Sequence, residues 1–286
     1  MTRYAAVDIG SNSIRMNVAE VTAGGAPRLL ATQRDVARLG DSVFRTGALS
    51  PEATDLLCAI LSRMRGVWEP LGISRGRAVA TAALREARNR AEVVARASTA
   101  LGIPIEIISG EEEARLIRLG VRAGKRSLII DIGGGSTEVI LEDRAWSLPL
   151  GAIRLQARFM RSDPPEAAEL RALEEFIADE VGRVVRELAG VTVEGAIGTS
   201  ATARAVVSAA DPGTTDRVLA FYRAVCRLDL AGRRRIDGVG PQRAEIIIPG
   251  TAVLLHLLEA LGLPGVIYSP AGVRDGIIAD LAAFGT

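Results

Sequence analysis

The chain has 286 residues, of which 48% are hydrophobic and 24% charged, with a formal net charge of +1. That composition is ordinary for a globular protein long enough for two domains with a core each, and a charge so near zero predicts no strong attraction to nucleic acid or membrane surfaces. A single histidine, His256, excludes histidine-based triads and zinc sites built from several histidines, so acid–base work falls to carboxylates.

No apolar run reaches transmembrane length and the start lacks a signal-peptide layout, which predicts a cytoplasmic protein. Cys58 and Cys226 lie in apolar helical surroundings and read as small core residues in a reducing compartment. The positive charge is nearly all arginine, with Lys125 the one lysine. Arginine suits bidentate phosphate contacts, although an arginine- and alanine-rich chain reflects genome base composition equally well.

In chain order, Tyr4-Ala-Ala-Val-Asp8 is an apolar strand, Ile-Gly-Ser-Asn-Ser13 a small polar turn and Ile14–Val21 a second strand, with a strand-like piece following at Arg28–Thr32. Residues 51–69 form a helix with Ser50 as N-cap and Pro51 in its first position. Arg77–Thr81 is a strand, and the chain turns helical from Ala82 toward Asn89. Arg85 thus lies just past a strand end, where α/β folds place ligands; on pattern alone it reads as a solvated helix arginine. Residues 91–101 are helical and Pro104–Ile108 is a short strand. Ser109 then caps a helix opening on Glu111, Glu112 and Glu113, which complement the helix dipole.

The first layout then recurs. Ser127-Leu-Ile-Ile enters Asp131-Ile-Gly-Gly-Gly-Ser-Thr-Glu138 and leaves through Val139-Ile-Leu, with Ala145–Leu150 as the third strand. Glycines let backbone N–H groups approach a ligand closely, and such a row of amides holds anions while a carboxylate at its edge holds a divalent cation. A bare turn is also compatible with ordinary tight geometry. Two copies more than a hundred residues apart indicate two similar domains rather than a solenoid; if they face each other, two aspartates and two phosphate turns meet in one cleft.

Beyond the repeat, Ser162–Glu166 opens a long helix reaching about Leu188. Val193–Ile197 is a strand leading into Gly198-Thr-Ser-Ala-Thr-Ala-Arg204, a small-residue turn at a helix N-terminus that either meets a phosphate or permits close packing. Arg233-Arg-Arg235 reads as a solvated loop, with guidance of a polyanion as the other reading. His256 sits in a helix at 252–261 as a packed or partly exposed residue, and Val266–Pro270 is a last strand before a closing helix.

Asp8-Ile-Gly-Ser-Asn-Ser13, Ala80-Thr-Ala-Ala-Leu-Arg-Glu-Ala87, Ile108-Ser-Gly-Glu-Glu-Glu-Ala-Arg-Leu116 and Asp131–Glu138 occur in that order. They are followed by Gly198–Thr202, Arg243-Ala-Glu-Ile-Ile-Ile-Pro-Gly250 and Gly272-Val-Arg-Asp-Gly276. The ordered set covers essentially the whole chain and resembles the exopolyphosphatase/guanosine pentaphosphate phosphatase family, in the superfamily of actin, sugar kinases and 70-kDa heat-shock chaperones. The resemblance implies an α/β fold of two ribonuclease-H-like (actin-like ATPase) domains facing a central cleft. The expected division is 1–121 and 122–286, with the C-terminal helix free to pack back across it. Longer relatives carry a further C-terminal helical domain; this chain stops at Thr286 and is expected to be the short two-domain form.

The reaction implied is Mg²⁺-dependent hydrolysis of a terminal phosphoanhydride, releasing orthophosphate. Glu113 matches the family's general base and Arg85 its arginine near the terminal phosphate. Asp8 and Asp131 would hold Mg²⁺, with Glu138 assisting. Gly10, Ser11, Asn12 and Ser13 in one turn, Gly133, Gly134, Gly135, Ser136 and Thr137 in the other, and Gly198, Thr199 and Ser200 would meet phosphates. Inorganic polyphosphate is the expected substrate and guanosine pentaphosphate the alternative, while a superfamily kinase, an ATP-binding actin-like module and a non-catalytic sensor complete the set. The family also implies a homodimer, with neither nucleic acid nor membrane as partner.

Overall fold

Each copy of the repeat folds as a β-hairpin extended by a third strand, and each is completed by two further strands running parallel to the first. The computed structural model describes residues 1–22 and 25–283. They fall into two units, Met1–Arg122 together with Ala271–Thr286, and Ala123–Pro270. The second unit thus ends at Pro270, and the chain from Ala271 onward counts with the first.

In the first unit, β1 (Thr2–Ile9), β2 (Ser13–Val21) and β3 (Arg28–Val36) are antiparallel neighbours. Helices α1 (Gly40–Thr46) and α2 (Pro51–Trp68) lead to β4 (Arg75–Ala80), α3 (Ala82–Glu86), α4 (Arg90–Leu101), β5 (Ile105–Ile107) and α5 (Gly110–Val121). The sheet order is β3-β2-β1-β4-β5, with β4 parallel to β1 and β5 parallel to β4. Ser50 accepts a hydrogen bond from the Ala53 amide at 3.2 Å, capping α2 as its Ser-Pro start requires.

Strand alternation divides the apolar residues of this sheet between its faces. Ala5, Val7 and Ile9 pack with Leu57, Ile60, Leu61 and Met64 of α2 and Val93 and Ala97 of α4. Ala6, Ala19 and Val79 pack with Leu116 of α5 and with Ile277 and Ile278 of α12 (Val273–Ala283), the closing helix. Asp8, two residues on from Ala6, shares that second face.

The second unit repeats the plan with β6 (Ser127–Ile132), β7 (Thr137–Leu141), β8 (Arg144–Leu148), β9 (Gly195–Gly198) and β10 (Val266–Tyr268), in the order β10-β9-β6-β7-β8. Its helices are α6 (Ala152–Phe159), α7 (Ala167–Glu187), α8 (Ala201–Ala209), α9 (Thr215–Val225), α10 (Leu230–Arg234) and α11 (Ile247–Ala260). The core joins Leu128, Ile130 and Ile132 to Ile177 and Val181 of α7 and to α11, whose residues from Ile247 to Leu255 are all buried. A three-stranded antiparallel meander whose first strand is followed by two parallel neighbours is the ribonuclease-H-like arrangement, and both units have it. Among the described residues no helix is long and apolar enough to cross a membrane.

Two expectations change. Arg233 is no solvated loop residue: it lies in α10 only 5% exposed, donating to the Ala244 carbonyl at 2.9 Å, the Leu228 carbonyl and Asp163 at 2.8 Å. Those acceptors allow a guanidinium to be buried, whereas Arg234 and Arg235 remain exposed. The cysteines are half-buried rather than core residues, and burial raises both thiols, Cys226 to about 11. His256 is a half-buried residue of α11, as its helical setting predicts, and burial pushes its pKa below the ordinary 6.5.

The glycines of α12 set how closely it packs. A Cβ on Gly276 would run into the Leu116 carbonyl, and one on Gly120 of α5 into the Gly272 carbonyl. Gly66, exposed in α2, has open space around its Cβ position. Gly276→Ala is therefore expected to destabilise the protein by about 1–3 kcal/mol in urea unfolding, and Gly66→Ala to stabilise it by about 0.4–1 kcal/mol.

Candidate active site

Three parallel strands of the first sheet deliver three polar side chains. β1 ends with Asp8 and Ile9, β4 gives way to Thr81 and α3, which carries Arg85, and β5 runs into Ser109 and α5, which carries Glu113. Backbone bonds pin these exits together, with the Thr81 amide on the Ile9 carbonyl at 3.2 Å and the Ile108 amide on the Ala80 carbonyl at 3.0 Å. Arg85 Nη1 donates to the Ile108 carbonyl at 2.7 Å and lies 3.5 Å from Glu113 Oε2. Glu113 is only 8% exposed.

The three consecutive glutamates have different surroundings. Ser109 Oγ caps α5 by accepting from the Glu112 amide at 3.2 Å and is 3.4 Å from the exposed Glu111 carboxylate. Glu112 is held by Arg77 at 3.0 Å and Arg115 at 2.6 Å, and both arginines also bind Asp280 of α12. Glu113 faces Arg85. Helical spacing separates them, since successive residues point about 100° apart.

The turn after β1 is closed by the Gly10 amide on the Ser13 carbonyl at 3.1 Å. From behind, the Gly40 amide binds the Ser11 carbonyl at 2.9 Å, and the Ala37 and Arg38 amides bind the Asn12 carbonyl at 3.1 and 3.0 Å. Ser11, Asn12 and Ser13 are all buried, and Ser11 Oγ has no hydrogen-bond partner among the described residues. Buried hydroxyls rarely go unpaired, so Ser11 is suited to a ligand or an ordered water.

In the second unit the Gly133 amide binds the Ser136 carbonyl at 2.9 Å, the same closure. The expected phosphate contacts here divide into two groups. Gly134, Gly135 and Ser136 have no secondary-structure partner for their amides among the described residues, whereas Thr137 is fully buried with its hydroxyl donating to the Leu150 carbonyl at 2.8 Å. After β9, a Cβ on Gly198 would stand 2.7 Å from that of Ala203, so close packing demands glycine there. Thr199 donates its hydroxyl to Asp131 Oδ2 at 2.6 Å, and Ser200 Oγ caps α8 at the Ala203 amide, 3.1 Å away.

Register makes the two copies electrostatically unlike. Asp131 is directly opposite Glu138, itself opposite Ser147, whose hydroxyl donates to Glu138 Oε1 at 2.8 Å. Thr199, Asp131, Glu138 and Ser147 therefore form one row across the sheet, with two carboxylates at its centre. Like charges directly opposite on neighbouring strands repel, and a cation relieves that repulsion. Asp8 instead faces Arg15. Arg15 was not anticipated from the sequence; the hairpin register that pairs it with Asp8 was the available signal.

Among the described residues no three or more of His, Cys, Asp and Glu group to hold a metal. Mg²⁺ requires fewer, binding through one or two carboxylates with water and substrate phosphate completing its shell. The hard oxygen donors at Asp131 and Glu138 fit that ion.

A sequence model of the Ppx/GppA phosphatase family matches residues 17–283. The chain belongs to that family. It is 28% identical to Exopolyphosphatase 1 of Mycobacterium tuberculosis over 299 aligned positions, covering 96% of this chain and 87% of the relative. A crystal structure of an exopolyphosphatase-like protein superposes with a TM-score of 0.92 at 26% identity, covering 100% of this chain and 99% of that one. The Aquifex aeolicus Ppx/GppA family member gives 0.81 at 25% identity with the same coverage.

Arg115 and then Arg77 hold the Glu112 carboxyl below its ordinary 4.5, against the cost of burial. A carboxylate with a lowered folded-state pKa stabilises the fold above its unfolded-state value and ceases to do so as pH falls through the folded-state value. Urea unfolding across pH is thus expected to show Glu112→Gln less stable than the native protein by a constant amount near neutrality. That difference should shrink below pH 4.5 and vanish in stronger acid.

Proposed function

We propose that the protein is an exopolyphosphatase, which removes the terminal phosphate of inorganic polyphosphate by hydrolysis. The observation that carries this reading is the Glu113–Arg85 pair at the parallel-strand ends, in a chain of a phosphatase family. Hydrolysis needs a group to orient water and accept its proton, and Glu113 is the buried glutamate of the α5 start, beside Arg85, whereas Glu111 is exposed and Glu112 is held by Arg77 and Arg115.

In this mechanism Glu113 takes the proton of the attacking water as its oxygen closes on the terminal phosphorus. The bond to the bridging oxygen breaks, and the shortened chain leaves with the negative charge. Arg85, anchored through the Ile108 carbonyl, offsets charge on the transferring group. Amides of Gly134, Gly135 and Ser136 in the second unit, and the Ser11 hydroxyl in the first, are each suited to phosphate oxygens. Phosphoryl transfer is mostly positioning and electrostatics, and these are the contributions such residues make.

Mg²⁺ is the expected ion; Asp131 and Glu138 would hold it in the second unit, and Asp8 is the carboxylate at the corresponding turn of the first. When bound, it would neutralise negative charge on the phosphate oxygens. Thr199 and Ser147 keep the second-unit carboxylates in place.

The test is orthophosphate release from polyphosphate, tripolyphosphate, guanosine pentaphosphate and ATP, each with Mg²⁺ and with a chelator. Polyphosphate is expected to be the best substrate, with activity lost on chelation. Glu113→Gln should lower kcat by about a hundredfold to ten-thousandfold and Arg85→Met by about a hundredfold to a thousandfold, with both variants folded. Preference for guanosine pentaphosphate would keep the chemistry and change the substrate. A folded protein that binds polyphosphate and releases nothing would make it a sensor.

A further inference from the structure

The glycine turn of the second unit is gripped from one side along its length. The Ala152 amide binds the Gly133 carbonyl at 2.9 Å, and the Ile153 and Arg154 amides bind the Gly134 carbonyl at 2.9 and 3.1 Å. Arg154 Nε binds the Gly135 carbonyl at 2.7 Å. The first-turn amides of α6, which no side chain caps, are thereby satisfied by the turn.

A trans peptide is planar, with the N–H of one residue antiparallel to the C=O of the residue before it. Fixing the carbonyls of 133, 134 and 135 toward α6 therefore aims the N–H groups of Gly134, Gly135 and Ser136 away from it. Backbone of α6 orients the first two, but the third, between Gly135 and Ser136, depends on the Arg154 side chain.

The first unit supplies a comparison. There the carbonyl equivalent to Gly135 is that of Asn12, and it is held by backbone amides of Ala37 and Arg38. The same peptide is fixed in both copies, once by main chain and once by an arginine. Close approach is common to both too, since a Cβ on Gly151 would run into Gly135 and one on Gly40 would stand 3.2 Å from Ser11 Cβ.

We propose that Arg154 is a positioning residue, whose Nε hydrogen bond to the Gly135 carbonyl aims the Ser136 amide at the bound phosphate. The inference rests on reading the turn from Gly133 to Ser136 as a phosphate site. It assigns Arg154 a role through geometry, distinct from a charge placed on the substrate.

Side-chain isosteres separate these roles. Glutamine places an N–H donor the same number of bonds from the backbone as arginine Nε and carries no charge. Methionine places a methyl group there, and lysine keeps the charge with its nitrogen one bond further out. The experiment titrates the whole protein with orthophosphate, following the amide resonances of Gly134, Gly135 and Ser136 and the melting temperature. In the native protein all three amides are expected to shift. Arg154→Met should weaken orthophosphate binding about tenfold, the range of one hydrogen bond to a charged group, and remove the Ser136 response while Gly134 still shifts. Arg154→Gln should stay close to native in both.

Native-like affinity and a native Ser136 response in folded Arg154→Met would overturn the proposal. So would Arg154→Gln matching Arg154→Met while Arg154→Lys matches native, because charge would then be what matters. If Arg154→Met does not fold, the Gln and Lys variants decide by the same criterion. Native protein whose three amides ignore orthophosphate would instead sink the phosphate-turn reading itself, a result distinguishable from failure of the Arg154 role alone.

Discussion

Strands β1, β4 and β5 run parallel and adjacent, so the chain leaves the first sheet three times at the same edge. Most of what the first unit offers for chemistry follows from that constraint. An aspartate at one exit, an arginine one helical turn past the next and a glutamate in the first turn after the third are far apart in sequence, and hydrogen bonds between neighbouring exits fix their heights. Neither Arg85 nor Glu113 requires a special backbone conformation, because each lies on a short stretch of helix that starts where its strand stops. The second sheet obeys the same rule at β6, β9 and β10, which bring Thr199 beside Asp131.

Much of this was legible in the sequence because local signals carried it. The duplicated strand–turn–strand layout, the Ser-Pro start of α2 and the Ser109 cap of α5 each depend on residues a few positions apart. What could not be read depended on distant partners. Arg233 looked like part of a solvated triplet, and its burial follows from Asp163 and the Ala244 carbonyl, which sequence spacing does not bring near. Three adjacent glutamates are equivalent as a string. Arg77, Arg115 and Arg85 distinguish them, and two of those arginines lie outside α5. Thr137 and Thr199 matched a phosphate-contact motif, yet their hydroxyls are engaged by Leu150 and Asp131.

The packing of α12 shows how such long-range terms reach Glu113. Gly276 and Gly120 allow two helices to meet at backbone distance, and Asp280 joins the arginines that hold Glu112. Because Glu112 precedes Glu113 on the same turn, an ion-pair network remote from phosphate chemistry fixes the rotation of α5 about its axis. Exposed ion pairs contribute little individually. Here their worth is directional, since a rotated α5 would take Glu113 away from Arg85.

The two turns show which features of a duplicated site are constrained and which are free to differ. Both close with the same amide-to-carbonyl bond, and both have their carbonyls held from the segment that follows the third strand. In the first unit that segment is a loop with Arg38 in a left-handed conformation, φ 49°, which lets successive amides of Ala37 and Arg38 converge on one carbonyl. In the second, the segment passes from Gly151 straight into α6, whose rising amides meet Gly133 and Gly134 in turn and then climb beyond Gly135. An amide of the regular helix cannot turn back to that last carbonyl, whereas an arginine side chain, which in a helix leans toward the N-terminus, can. The orientation of the peptide is what the two copies share, and the atom that enforces it is set by how each third strand gives way to its helix.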